Sequence, residues 1–180
     1  PELIPEAKER HLKYVDATCP LVTKVHKEAI KFSSQEIDTV LIGHVGHQEL
    51  VGTSGYVHPD LLHIVENESD VEKLTIDSDK TVAYITQTTL SVDETSGIIN
   101  KLKQRFPKLV GPPRSDICYA TQNRQDAVKD LAKTCDVIIA TPQVVKYYNQ
   151  LDGRPNRYSV LSLDNLGRYV RGRDTYKLRI

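Results

Sequence analysis

The sequence predicts an α/β protein: a three-layer lobe in which βαβ units form a parallel sheet, followed by the start of a second lobe of the same kind. Two observations support this prediction. Short β-rich runs alternate with longer segments of helical periodicity as far as Thr141. The run Asp136–Ala140 (DVIIA) is also apolar through its last four residues, which is typical of a strand buried on both faces.

Taken in order along the chain, β-rich runs predict the strands Leu12–Asp16, Thr39–Ile42, Leu61–Val65, Thr81–Ile85 and Asp136–Ala140. Segments with a period of 3.6 residues predict helices at about Pro20–Ser33, Ser69–Leu74, Ser91–Phe106 and Thr121–Lys133. The helix from Ser91 has the clearest limits. Ser91 and Glu94 have the spacing of a capping box, and Pro107 ends the periodic pattern.

Length and charge restrict the possible functions of this chain of 180 residues. Its net charge of zero argues against binding duplex nucleic acid, and no apolar run is long enough to span a membrane. From Pro142 to Ile180 there are eight Lys/Arg and three Asp, so this basic tail carries +5 and residues 1–141 carry −5. We expect a lobe at 1–112, a second at 113–180 after the linker Gly111–Pro113, and a divergent tail from about 142. The chain contains no Met, from which we expect an internal piece of a longer protein.

Chemistry-bearing residues follow the predicted strands. In a parallel α/β sheet the loops at the carboxyl ends of the strands open on one edge, where ligands bind. The segments in these positions are Ala17–Pro20, Gly43–Glu49, Thr86–Thr89 and, after the linker, Asp116–Cys118. Two thiols, two imidazoles, carboxylates and several hydroxyls are therefore expected on one edge.

Cys19 and Cys118 each stand immediately before a predicted helix. The unpaired N–H groups at a helix start favour a thiolate, which is a ligand for metal ions and iron–sulfur clusters. The alternative is that both are buried structural cysteines. Cys135, at the end of a helix and before a strand, is expected at the opposite edge as a core residue.

His47 and Glu49 form an H-x-E pair in the Gly-rich stretch, which we interpret as a loop. A zinc deaminase uses H-x-E together with P-C-x-x-C, and this chain lacks the second motif. Solvated surface residues are the alternative interpretation of the pair. Thr88 and Thr89 have the position of helix caps, but exposed hydroxyls there would also bind an anion or an alcohol.

Four stretches resemble the LytB (IspH) family of iron–sulfur reductases, in the family's order and over roughly residues 1–141. They are DATCPLVTKVHKEA, GHVGHQELVGTSG, TQTTLSVDET and DICYATQNRQDAV. The resemblance implies the reduction of 4-hydroxy-3-methylbut-2-enyl diphosphate to isopentenyl and dimethylallyl diphosphate, the end of the non-mevalonate isoprenoid route. It also implies an electron donor such as ferredoxin or flavodoxin, and a location in the bacterial cytoplasm or in a plastid-type organelle.

The same resemblance assigns roles to particular residues. It implies that Cys19 and Cys118 are two of the three ligands of a [4Fe–4S] cluster. His47 falls where the family binds the diphosphate, Glu49 where it delivers protons, and Thr88 beside the substrate hydroxyl.

This chain departs from the family pattern in two places. The resemblance implies that the family's N-terminal lobe, with the first cluster cysteine and two diphosphate-binding histidines, lies outside this sequence. After DVIIA the sequence reads TPQVVK where the family has a Ser/Asn-rich phosphate motif. We therefore expect an incomplete enzyme that is inactive as this chain. The alternatives are a non-catalytic α/β module that binds phosphate or a partner, and a thiolate zinc-binding domain.

Overall fold

A computed structural model describes residues 3–131, 133–134, 137–140, 159–163, 169–171 and 174–175. The chain divides into two compact units, residues 1–118 and residues 119–180, and each is described by itself. The predicted lobe boundary at 112–113 is a sequence-based division at the linker, and it stays a prediction.

The first unit is built on a parallel sheet of four strands in the order β2-β1-β3-β4. The strands are β1 (Asp38–Ile42), β2 (Leu62–Val65), β3 (Val82–Thr86) and β4 (Leu109–Val110). Val40 of β1 pairs with His63 of β2 on one side and with Tyr84 of β3 on the other. The chain therefore reverses its direction of travel across the sheet between β1 and β3, which makes the junction of these two strands the topological switch point.

Helices cover both faces of this sheet. The helices of the unit are α1 (Leu3–Glu9), α2 (Pro20–Ser34), α3 (Gln48–Ser54), α4 (Glu68–Glu72) and α5 (Val92–Arg105), with a 3-10 turn at Pro59–Leu61. On one face α2 and α3 pack against the sheet around Leu41, Ala83 and Ile85. On the other face α4 and α5 pack around Val40, Ile42 and Val82. The predicted three-layer α/β lobe is confirmed.

The period of two in the strands explains this layering. Val40 and Ile42 of β1 enter the core under α4 and α5, whereas Leu41 between them enters the core under α2 and α3. All five residues of β1 are buried, as in a central strand of a parallel sheet with both faces covered.

The capping residues in the sequence correctly predicted where two of the helices begin. Ser91 is the N-cap of α5, and its Oγ accepts hydrogen bonds from the backbone N–H groups of Asp93 and Glu94, at 3.1 and 3.5 Å. Pro20 is the first residue of α2, as predicted. Predicted strands and helices elsewhere agree with the structure within about two residues, which is the usual uncertainty of element ends.

The prediction of a strand at Leu12–Asp16 is wrong. Residues 12–19 form no strand, and the side chains of Leu12, Tyr14 and Val15 are exposed. The β-rich composition is present, but a strand also needs a partner for its backbone N–H and C=O groups. The two sheets of the described residues contain no strand that pairs with this segment.

Helix α3 was not predicted, because its sequence QELVGTS contains a glycine and follows two others. Its seven residues are held by tertiary packing of Leu50, which is 2% exposed. Helix α1 and the two-residue strand β4 were also missed.

In the second unit, α6 (Tyr119–Leu131) is followed by β5 (Val137–Ala140), β6 (Ser159–Leu163), β7 (Tyr169–Arg171) and β8 (Asp174–Thr175). Strand β5 pairs with β6 in parallel, β6 pairs with β7 in the antiparallel sense, and β7 pairs with β8 in the same antiparallel way. Strands β6 to β8 were not predicted. Most of the divergent tail expected from about 142 lies outside the described residues. Within the described part of the chain, no helix combines the length and the apolar character needed to cross a membrane.

Candidate active site

The loops after β1 and β3 are joined at the switch point by Gln87, a buried residue that the sequence did not single out. The Gln87 N–H donates to Ile42 O at 2.8 Å, and its side-chain Oε1 accepts from the His44 N–H at 3.1 Å. Its Nε2 donates to Thr89 Oγ1 at 2.8 Å. One side chain therefore holds both loops at the edge where an open α/β sheet binds its ligands.

Gly43 begins the first of these loops and makes the close approach of Gln87 possible. A Cβ at this position would clash with Leu50 Cδ1 and would lie 2.9 Å from Gln87 Cβ. A larger residue here would therefore force the side chains of Leu50 and Gln87 to move.

His47 and Glu49 lie at the start of α3, and the interpretation of this pair as part of a loop is therefore wrong. His47 is the N-cap, and its Nδ1 accepts a hydrogen bond from the Glu49 N–H at 3.2 Å. An accepting Nδ1 places the proton of the neutral ring on Nε2. The exposed His47 ring thus offers an Nε2–H donor to an anion.

Glu49, Thr88 and Cys118 come from three different segments and are joined by two hydrogen bonds to the backbone of Thr88. Glu49 Oε1 accepts from the Thr88 N–H at 2.5 Å, and Thr88 O accepts from the Cys118 N–H at 2.7 Å. Thr88 is buried, whereas Glu49 and Cys118 are half-buried. The structure therefore brings these three predicted site residues together.

Burial raises the pKa of the Glu49 carboxyl group. The hydrogen bonds from Thr88 and the nearby His47 oppose this shift, and the charge of Asp116 adds to it. A carboxyl group with a raised pKa keeps its proton to higher pH and is suited to act as an acid.

Asp116 and Lys24 lie next to these residues and were not identified from the sequence. Asp116 is 1% exposed, and its Oδ2 accepts from the Thr86 N–H at 3.3 Å. Its Oδ1 accepts from Lys24 Nζ at 2.6 Å. Asp116 lies two residues before Cys118, and this D-x-C spacing is the sequence feature that could have identified it as a site residue.

Cys19 is the exposed N-cap of α2, and its side chain makes no capping hydrogen bond. Neither Cys19 nor Cys118 forms a disulfide bond. Lys24, one turn into the same helix, links α2 to the segment that carries Cys118. The prediction that Cys19, His47, Glu49 and Thr88 line one crevice remains a prediction.

Cys19 and Cys118 supply part of the sulfur ligands that an iron–sulfur cluster needs. Cluster sites use three or four cysteines, and the described residues contain two. Among the residues that the structure describes, no group of three His, Cys, Asp or Glu side chains has the proximity to hold a metal ion. Cys135, which was expected at the opposite edge, lies outside the described residues.

Comparison with known proteins agrees with the resemblance. Residues 1–143 match the family model described as LytB protein. The chain belongs to the LytB family. A 4-hydroxy-3-methylbut-2-enyl diphosphate reductase of Psychrobacter sp. (strain PRwf-1) is 54% identical over 137 residues, which are 74% of this chain and 43% of that protein. The corresponding reductase of Hahella chejuensis is 51% identical over 146 residues, or 79% of this chain and 46% of that protein.

Solved structures of LytB-family proteins have the same fold. The E-1-hydroxy-2-methyl-but-2-enyl-4-diphosphate reductase of Plasmodium falciparum matches with a TM-score of 0.79 and 37% identity, over 92% of this chain and 53% of that one. A second reductase structure, described as the terminal enzyme of the non-mevalonate pathway, gives a TM-score of 0.60 with 27% identity. The chain spans less than half the length of the curated relatives it matches. This coverage agrees with the predicted partial chain.

Proposed function

We propose that this chain is the part of a 4-hydroxy-3-methylbut-2-enyl diphosphate reductase that carries its proton donor, its substrate-hydroxyl contact and two of its cluster thiolates. The reaction breaks the C–O bond of the substrate's hydroxyl group, takes up two electrons and two protons, and releases water with isopentenyl or dimethylallyl diphosphate. The names of the relatives support this assignment. The observation that carries it is the hydrogen-bonded series Glu49, Thr88, Cys118, which ties the Glu49 carboxyl group to the segment that ends at Cys118.

Each residue has a role that its chemistry supports. Glu49, with its pKa raised by burial, delivers a proton to the leaving hydroxyl oxygen. The Thr88 hydroxyl hydrogen-bonds the substrate's hydroxyl group and orients the C–O bond that breaks. The His47 Nε2–H donates to the diphosphate.

Cys19 and Cys118 would hold two irons of a [4Fe–4S] cluster, and the third ligand comes from outside the described residues. When bound, this group supplies the two electrons, from a donor such as ferredoxin or flavodoxin, and an open iron for the hydroxyl oxygen. Because the described residues contain two cysteines and cluster sites use three or four, we expect the isolated chain to show no turnover. We assign it to the bacterial cytoplasm or to a plastid-type organelle.

Anaerobic reconstitution tests the thiolate assignment. We expect the chain to take up iron and sulfide in equal amounts, and Cys19→Ser and Cys118→Ser each to abolish most of this uptake. Cys135→Ser is the matched control and should leave the uptake unchanged. Preference for zinc over iron would favour a zinc-binding domain, and uptake of neither metal would favour a non-catalytic module. Turnover by the purified 180-residue chain with a chemical reductant would contradict the expected incompleteness.

Binding of inorganic pyrophosphate tests the role of His47 separately. His47→Ala should weaken binding roughly tenfold, because a hydrogen bond to a charged group is lost. Thr88→Val retains the backbone bonds to Glu49 and Cys118, so it should leave pyrophosphate affinity unchanged. Equal affinity of wild type and His47→Ala would remove His47 from the diphosphate site.

A further inference from the structure

The two candidate cluster thiols lie on segments far apart in sequence. Cys19 is the N-cap of α2, whereas Cys118 ends a segment, residues 111–118, that contains no helix or strand. A segment without regular structure owes its position to contacts with its neighbours. The contacts that hold Cys118 include its own N–H bond to Thr88 O and the bonds of Asp116 two residues earlier.

Lys24 makes the contact between the two segments. Its Nζ lies 2.6 Å from Asp116 Oδ1 and 3.0 Å from Arg114 O, both in the segment that carries Cys118. A third contact joins Lys24 Nζ to Oε1 of Glu28, one turn further along α2, at 3.4 Å. This contact helps to orient the ammonium group. An ammonium group has three donors, and each of the three acceptors lies within ion-pair or hydrogen-bond distance.

Asp116 extends this contact to the sheet. Its side chain is fully buried, and the carboxylate receives Lys24 on one oxygen and the Thr86 N–H at the end of β3 on the other. Helix α2, the Cys118 segment and β3 thus meet at one carboxylate. Lys24 forms ion pairs with both Asp116 and Glu28, and the second oxygen of Glu28, Oε2, is buried here without a hydrogen-bond partner.

We propose that Lys24 is a positioning residue that sets the separation of Cys19 and Cys118 by holding the Cys118 segment against α2 through Asp116 and Arg114 O. The inference deepens the proposed function, because these are the two thiols assigned there to the cluster. Lys24 touches neither thiol. It acts through the segment between Arg114 and Cys118.

A second ion pair in the same unit provides a matched control. Lys80 Nζ lies 3.2 Å from Oδ2 of Asp38, which is 8% exposed and begins β1 at the amino end of the sheet. Lys80→Met and Lys24→Met each remove a lysine from a buried aspartate. Only Lys24 is bonded to the segment that carries Cys118.

Thiol cross-linking measures the separation directly and needs no iron. In a Cys135→Ser background, the chain is treated with bismaleimides of two spacer lengths, and the Cys19–Cys118 cross-link is quantified by peptide mass. Lys24→Met should lower the cross-linked fraction by about fivefold, because intramolecular capture follows the effective concentration of the two thiols. Lys80→Met should match wild type. Lys24→Arg, which keeps a charged donor, should retain most of the cross-link.

Thermal unfolding of each variant shows whether a lost cross-link reflects a changed separation of the two thiols or a less stable fold. If Lys24→Met does not fold, Lys24→Gln replaces it. The proposal is overturned if the folded Lys24 variants cross-link as wild type does, if Lys80→Met loses the cross-link equally, or if wild type gives no cross-link. Iron uptake by the same proteins is scored independently. Loss of the cross-link in Lys24→Met with no iron uptake by any variant would retain the positioning role and reject the proposed function.

Discussion

Asp38, the first residue of β1, and Glu49, in the helix that follows this strand, are two largely buried carboxyl groups with different surroundings. Asp38 begins the strand and receives His63 Nε2 at 2.9 Å and Lys80 Nζ at 3.2 Å. Burial alone would raise the pKa of Asp38, but the hydrogen bonds from these two side chains outweigh it and lower the pKa. Glu49, in the helix after the strand, receives a backbone N–H, and burial raises its pKa.

This difference in pKa distinguishes a carboxylate that stabilises the fold, Asp38, from a carboxyl group that is a candidate proton donor, Glu49. Asp38 is ionised and paired, so its charge contributes to stability. Among the described residues, no lysine or arginine forms an ion pair with Glu49, so its ionised form is disfavoured. A buried carboxyl group that forms no such ion pair is a candidate acid, because its raised pKa lets it keep its proton to higher pH than an exposed carboxyl group does.

The largest expected effect is at Asp38. Asp38→Asn should lower the free energy of unfolding by about 2 kcal/mol at pH 7, because His63 and Lys80 lose a buried ionised partner. Urea unfolding measures this change. Lys80→Met should cost less, since the Lys80 side chain is 62% exposed and its contribution is screened by water. Equal stability of wild type and Asp38→Asn would remove the distinction between the two carboxyl groups.

A smaller loss is expected at the carboxyl edge from Gln87→Ala. The change removes the bonds to His44 N–H and Thr89 Oγ1 and should lower the free energy of unfolding by about 1.5 kcal/mol. The control is Gln104→Ala, an exposed position on α5, which should be close to neutral. If Gln87→Ala and Gln104→Ala were equally stable, the two loops would not depend on this side chain.

The smallest effect, of opposite sign, is expected from Glu49→Gln. The amide still accepts from the Thr88 N–H but carries no charge, so the free energy of unfolding at pH 7 should rise by less than about 1 kcal/mol. Glu9→Gln, at an exposed position on α1, should change nothing.

The free energies of unfolding of Glu49→Gln and Asp38→Asn should differ from wild type over different pH ranges. The pKa of Glu49 is raised above its ordinary 4.5, so the difference between Glu49→Gln and wild type should be absent below pH 4.5 and develop as the pH rises through the raised pKa. The pKa of Asp38 is lowered from 3.8, so its contribution should be present above pH 3.8 and disappear as the pH falls through the lowered pKa. Parallel pH profiles for the two variants would contradict the assignment.

Much of the fold follows from local patterns in the sequence. The short apolar runs of β1 and β3, the N-cap at Ser91 and the proline after Cys19 each act over a few residues, so each can be recognised without tertiary structure. The positions of His47, Glu49, Thr88 and Cys118 after strands are likewise a matter of order along the chain. Their common edge follows from the parallel sheet.

Other features depend on partners that are distant in sequence, and these only the tertiary structure decided. The β-rich Leu12–Asp16 forms no strand because pairing, not composition, makes a strand. The Gly-rich segment after His47 forms a helix because Leu50 packs into the core. The Lys24–Asp116 ion pair joins residues 92 positions apart, and Gln87 meets His44 across 43. A local pattern carries no information about such contacts, because they are made only after burial of the sheet has brought the loops together.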